Sequence, residues 1–140
     1  YLHPLTIILF DVDGFKQAND TFGHDMGDRI LAQIAQVAAA QVRDVDILAR
    51  YGGDEFIILL PQTDARLAFI VAERIRESAA SIEVETENHE LLQVTLSIGV
   101  AEFVNSPKYK SIEDIIRHAD QALYMAKKSG RNHTYVYSEE

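Results

Sequence analysis

The spacing of apolar positions changes several times along this chain, and each change marks an element. Leu5 to Phe10 (LTIILF) is a short continuous apolar run rich in β-branched residues that stops at Asp11-Val12-Asp13-Gly14. It predicts a buried strand opening into a loop, with carboxylates at the strand's C-terminal mouth. From Asp28 the spacing turns helical: Ile30, Leu31, Ile34, Ala35, Val37 and Ala38 share one face as far as about Val42. Asp28 stands where a carboxylate caps a helix or favours its positive end. Two strand-like runs, Ile47 to Arg50 and Phe56 to Leu60, flank Tyr51-Gly52-Gly53-Asp54-Glu55, the pattern of a hairpin whose glycine pair takes up positive φ. The acidic pair then stands at or just beyond the hairpin tip.

Pro61 closes the second run, and Leu67, Ile70, Val71, Arg74 and Ile75 mark another helix. Leu92 to Val100 alternates as a strand with Thr95 and Ser97 as its polar partners. Ser111 and Asp114 form a capping-box pattern ahead of Ile112, Ile115, Ile116, Ala119, Leu123 and Ala126, and Gly130 supplies the stop. Thr134 to Tyr137 reads as a closing edge strand, and Glu102 to Lys110 as the one long irregular segment. The order strand, helix, hairpin, helix, strand, helix, strand predicts an α+β fold, a mostly antiparallel central sheet flanked by helices.

Composition narrows the function. At 140 residues the chain has the size of one domain with one core, and its 47% apolar and 25% charged residues are those of a globular protein. With 22 acidic against 13 basic side chains, the net charge of −9 repels polyanions and argues against a nucleic-acid polymer as partner. An anionic substrate therefore needs a local device: a metal, a few placed Lys or Arg groups, or oriented backbone N–H groups. Absence of cysteine excludes disulfides and thiolate metal sites, and fits a reducing compartment. No apolar run is long enough to span a bilayer, so the segment reads as soluble and cytoplasmic without direct membrane contact; a membrane-anchored parent protein is compatible with that.

Asp11, Asp13, Asp54 and Glu55 are the chemically telling residues, because a strand end and a hairpin turn joined in one sheet gather carboxylates around one point. Carboxylate oxygens suit a hard divalent cation, the usual companion of a triphosphate. Spacing alone does not establish a metal site, since acidic residues in turns are ordinarily solvated caps. The scattered His3, His89, His118 and His133 lack metal-ligand spacing, and His24 reads as a structural loop histidine.

The whole string is more specific. Asp11 to His24 (DVDGFKQANDTFGH) with Gly27-Asp28, together with Gly52-Gly53-Asp54-Glu55-Phe56, resembles the signature of the GGDEF family. Ser97-Ile98-Gly99-Val100, Asp120-Gln121-Ala122-Leu123-Tyr124 and Ala126 to Asn132 (AKKSGRN) extend the resemblance over nearly the whole chain. It implies a ferredoxin-like or palm-like nucleotidyl cyclase architecture and a diguanylate cyclase, which condenses two GTP into cyclic di-GMP with release of two pyrophosphates. In that family the Asp11 carboxylate, the Val12 carbonyl and an acidic residue of the turn hold Mg²⁺, with Mn²⁺ as a substitute. Of Asp54 and Glu55, one ligates metal while the other deprotonates or orients the attacking 3′-hydroxyl. Backbone N–H groups of Gly14, Phe15 and Lys16, with the side chains of Lys16, Lys127 and Arg131, bind phosphates. Asn19 and Asp28 match the positions that read guanine, and Gly52 and Gly53 leave room for the nucleotide.

One such site holds one GTP, so two protomers must face each other as a homodimer. Arg43-Asp44-Val45-Asp46 fits the family's Arg-x-x-Asp motif for inhibition by product, with Arg43 and Asp46 as its contacts and Arg74 as a second one. The chain starts directly ahead of its first strand, where the family carries a helix and an Asp-x-Leu-Thr-Gly-Leu segment. It therefore reads as a single domain over residues 1–140, truncated at its N-terminus and excised from a larger signalling protein with an upstream sensor or receiver domain. The competing readings are a catalytically silent receptor for GTP or cyclic di-GMP, an interaction module, and an ATP-using cyclase; the intact Asp11, Asn19, Asp28, Asp54 and Glu55 favour the enzyme.

Overall fold

The computed structural model describes residues 3–103 and 111–138. Its elements run β1 (Leu5–Val12), α1 (Phe15–Phe22), α2 (His24–Gln41), β2 (Ile47–Arg50), β3 (Glu55–Pro61), α3 (Ala65–Ala80), β4 (Val84–Glu85), β5 (Leu91–Leu92), β6 (Leu96–Phe103), α4 (Ile112–Lys128) and β7 (His133–Val136). Five strands form one sheet in the order β2-β3-β1-β6-β7, and β4-β5 is a separate small hairpin. All pairings of the large sheet are antiparallel except β6 with β7, which is parallel. This is the α+β architecture that the sequence predicts.

Alternate residues of β1 serve two cores, as a strand buried on both faces must. Ile8, Phe10 and Val12 pack with Ile58, Ile98 and the apolar stripe of α2, whereas Ile7 and Leu9 pack with Ile57, Ala101 and α4. Gly99 sets the height of α4 over the sheet: a Cβ there would lie 2.2 Å from the Ala119 carbonyl oxygen and 2.4 Å from the Leu123 nitrogen. Among the described residues no helix is long and apolar enough to cross a membrane.

Six local expectations are corrected. The segment after Asp13 is no loop but the helix α1, started by Gly14 in the left-handed region (φ 69°). Asp28 caps nothing, because α2 begins earlier, with Gly23 as its N-cap. Leu67 and Ile70 are exposed while Ala68, Ala72, Ile75 and Ala79 are buried, since small side chains let α3 lie close to the sheet. The run from Leu92 to Val100 is split between β5 and β6. Gly52 and Gly53 do not take up positive φ. The turn is closed instead by Tyr51 and Gly52 N–H groups on the Glu55 carbonyl and by the Arg50 guanidinium on the Gly52 and Gly53 carbonyls. Of the irregular segment Glu102 to Lys110, the first two residues belong to β6, and the remainder lies outside the described residues.

Candidate active site

The register of the sheet decides what meets at its mouth. Asp11, near the end of β1, is the cross-strand partner of Glu55, the first residue of β3, and the Val12 N–H donates to the Asp54 carbonyl at 3.4 Å. Asp11, Asp54 and Glu55 are thus neighbours. Beside them opens a cleft of about 490 Å³ lined by Asp11 to Gln17, Asp54, Lys127 and Arg131. Gly14, Phe15 and Lys16 form its floor where α1 begins, so the backbone N–H groups of a helix start lie at the cleft. Lys127 and Arg131 reach it from the end of α4 and the turn that follows.

Around Asp11 and Glu55 the carboxylates outnumber the one cation that acts on them, Lys127. Asp11 Oδ2 accepts from Lys127 Nζ at 2.6 Å. Burial nevertheless pushes the Asp11 carboxyl above its usual range, and the charges of Asp54 and Asp13 add to this, outweighing what Lys127 returns. Glu55 is raised likewise, by burial first and then by Asp11 and Asp120. Burial opposes the charge on Lys127, but its bond to Asp11 and the charges of Glu55 and Asp54 win and raise its pKa. One ammonium among several carboxylates is held firmly and still leaves the carboxylates underneutralised.

That surplus suits a hard cation, and the donors are all oxygens. Among the described residues, however, no three Asp, Glu, His or Cys side chains are drawn together as a ready-made ligand set. Asp11, the Val12 carbonyl, and Asp54 or Glu55 are the groups that could hold such an ion, whose charge would relieve the repulsion.

Asp13 does not join them. Its carboxylate accepts from Thr95 Oγ1 and Ser97 Oγ, both at 2.7 Å, and from the Asn132 N–H at 2.9 Å. It is a structural tie between the start of α1, β6 and the turn after α4. Asn19 lies on α1, its Nδ2 2.9 Å from His24 Nδ1, and it packs against Gly27, where a Cβ would come within 2.2 Å of its Oδ1. Asp28 lies in a second cleft, with Leu31, Ala35, Leu48, Arg50 and Phe56. Across the sheet, Arg43 and Asp46 are closed on each other: Nη2 to Oδ1 is 2.7 Å and the Arg43 N–H donates to Oδ2 at 2.7 Å. Burial works against the Asp46 charge, but the Arg43 bonds prevail and hold its carboxyl below its ordinary range. The Asp46 side chain is 1% exposed against 52% for Arg43, so Arg43 is the face this motif offers. No hydrogen bond or ion pair among the described residues joins Arg74 to either.

Residues 2–133 match the family described as "Diguanylate cyclase, GGDEF domain". The chain belongs to the GGDEF family. Diguanylate cyclase DosC of Escherichia coli (strain K12) is 42% identical over 134 residues, 96% of this chain. Response regulator PleD of Caulobacter vibrioides is 42% identical over 130 residues, 92% of this chain. The GGDEF domain spans only 28% of the length of either relative. Among solved structures, the active GGEEF domain of a diguanylate cyclase from Vibrio cholerae superimposes with a TM-score of 0.88 at 39% identity, covering 99% of this chain and 85% of that one. Its neighbours being GGDEF domains, the chain has the palm-like nucleotidyl cyclase fold.

Sequence reading overlooked three parts of this GGDEF domain. Arg50 holds the signature turn, Asp120 adds charge at Glu55, and Thr95 and Ser97 hold Asp13. The last had a signal: two hydroxyls spaced two apart in a run that predicts a strand present donors on one face, and Thr95, just ahead of β6, keeps that alignment with Ser97.

Proposed function

We propose that this GGDEF domain condenses two GTP molecules into cyclic di-GMP. Each 3′-oxygen attacks the α-phosphorus of the other nucleotide, a new P–O bond forms, the bond to pyrophosphate breaks, and the hydroxyl proton passes to a carboxylate or to solvent. The observation that carries this reading is the pairing of Asp11 with Glu55 across β1 and β3 beside a cleft that also contains Lys16, Lys127, Arg131 and the start of α1. Carboxylates for a cation and cations for a polyphosphate stand side by side, as nucleotidyl transfer requires.

Within the reading, Gly14 to Lys16, Lys127 and Arg131 bind the β- and γ-phosphates. Asn19 and Asp28 read guanine; adenine lacks the ring N1–H and the 2-amino group that guanine offers the Asp28 carboxylate, which favours GTP over ATP. Gly52 and Gly53, without side chains, let the nucleotide approach the turn. Asp11, the Val12 carbonyl and Asp54 or Glu55 would hold Mg²⁺, with Mn²⁺ as a substitute, which would supply neutralisation of the charge that develops on the phosphates. The other turn carboxylate orients or deprotonates the 3′-hydroxyl.

Closing two bonds between two nucleotides takes two protomers face to face, a homodimer that forms and separates within a longer protein carrying a sensor or receiver domain. Product binding at Arg43, with Asp46 bracing it and Arg74 assisting, restrains the reaction. Purified protein incubated with GTP and Mg²⁺ should release two pyrophosphates for each cyclic di-GMP, and ATP should give neither. Binding of cyclic di-GMP or GTP without turnover, by this domain and by its full-length parent, would replace the enzyme with the receptor reading. Arg43→Ala should weaken product inhibition; unchanged inhibition overturns that assignment.

A further inference from the structure

After Ser129, the C-cap of α4, the backbone takes three successive left-handed residues, Gly130 (φ 109°), Arg131 (φ 63°) and Asn132 (φ 47°). Glycine enters this region freely, but arginine does not, and such a run persists only where surrounding contacts over-determine it. Asn132 is gripped from two sides. Its N–H donates to Asp13 Oδ2 at 2.9 Å, and its Oδ1 accepts from Arg76 Nη1 at 2.9 Å. Arg76 is fixed in turn: its Nε and Nη2 meet the two Glu73 oxygens at 2.8 and 2.9 Å, and Thr134 Oγ1 donates to Glu73 Oε2 at 2.7 Å.

The Glu73–Arg76 pair is more than a surface pair on one helix. Its side chains are only 28% and 19% exposed, and it spends its spare hydrogen bonds on Thr134 and Asn132, far away in sequence. The bond to Arg76 lowers the Glu73 carboxyl pKa, and the Arg76 pKa is raised by the same bond, so both stay charged. Neither residue lines the cleft, whereas Arg131 does. A long cationic side chain ordered before its ligand arrives loses less freedom on binding.

We propose that Arg76, locked by Glu73, is a positioning residue that fixes the left-handed turn at 130–132 and so presents Arg131 to the polyphosphate of the nucleotide; this rests on the GTP-binding reading of the cleft. It gives α3 a part in substrate binding at a distance, through a geometric device that needs the arginine fork: Nε, Nη1 and Nη2 each have a separate task. A lysine keeps the charge and cannot perform all three.

The test is a double-mutant cycle on affinity, with α,β-methylene GTP and Mg²⁺ as the unreactive probe and GMP as the probe without β- and γ-phosphates. Arg76→Ala should weaken the triphosphate analogue roughly tenfold and leave GMP unchanged. Arg76→Lys should do the same, and Glu73→Gln, the milder variant, should act in the same direction. In an Arg131→Ala background the Arg76→Ala effect should shrink to less than about twofold, because one residue acts through the other. Equal affinity of wild type and Arg76→Ala, or full additivity with Arg131→Ala, overturns the proposal. Amide exchange at Asn132 reads the clamp without nucleotide and should accelerate in Arg76→Ala. Faster exchange with unchanged affinity breaks the link to Arg131, and unchanged exchange removes the clamp. A wild-type protein that binds neither probe instead refutes the GTP reading, and the exchange result then decides the clamp alone.

Discussion

Asp11 and Asp13 stand two positions apart at the same end of the sheet, and their surroundings are opposite in kind. Asp13 is saturated by two hydroxyls and a backbone N–H. Asp11 is buried with one lysine for several carboxylates, and its carboxyl is pushed upward. The first arrangement holds the molecule together; the second leaves a carboxyl short of partners, the condition under which, in the proposed reading, a divalent cation would bind. The same side chain in the same motif is thus given opposite surroundings by what its neighbours donate.

The comparison can be broken in several ways. On the chemical side the largest effect expected is from Glu55→Ala, which should reduce turnover about 1000-fold with an unchanged far-ultraviolet circular dichroism spectrum, as loss of a carboxylate that positions or deprotonates the nucleophile does. Pyrophosphate release checks this, and near-normal turnover would remove Glu55 from the chemistry. On the structural side, Asp13→Ala strands three donors and should cost about 3 kcal/mol in urea denaturation. A loss below about 0.5 kcal/mol would show that water replaces the carboxylate.

Asp11→Asn should also reduce turnover, by less than Glu55→Ala, yet stability at neutral pH should rise, because it removes a charge that the folded state disfavours. The smallest effect is in pH dependence. With the folded Asp11 pKa raised above its ordinary value of 3.8, the folded state binds the proton more tightly than the unfolded one, so this residue's contribution declines as pH rises through the window above 3.8. Below that window wild type and Asp11→Asn should melt alike, and the advantage of the variant should grow as pH increases. A difference that shrinks with pH would mean that Lys127 governs the pair.

Where one strand or one turn carried the pattern, sequence was sufficient. The apolar run of β1 and the paired runs around the signature turn were legible because their period is local, and with them the meeting of Asp11, Asp54 and Glu55. Helix α1 was not: it has eight residues, only Ala18 buried among them, and a left-handed glycine at its start in place of a capping side chain. The residues that marked α3 were not the ones that bury it, Ile75 excepted, because its buried alanines contribute little hydrophobicity and much closeness. Asp13 could not be told from Asp11, since Thr95, Ser97 and Asn132 are more than eighty residues away. Glu73 and Arg76 looked like any solvated pair three apart on a helix; only the distant Asn132 and Thr134 give them meaning.

The absent side chain at Gly99 has a mechanical consequence. With the backbone of α4 pressed directly onto β6, there is no cushion of flexible side chains at the crossing on which the helix could tilt or slide. Lys127 and Arg131 therefore travel with the sheet that carries Asp11 and Glu55, as one stiff body. Under the two-protomer reading proposed above, control over such a body would be exerted by bringing whole copies into register or keeping them apart, and hardly at all by bending one.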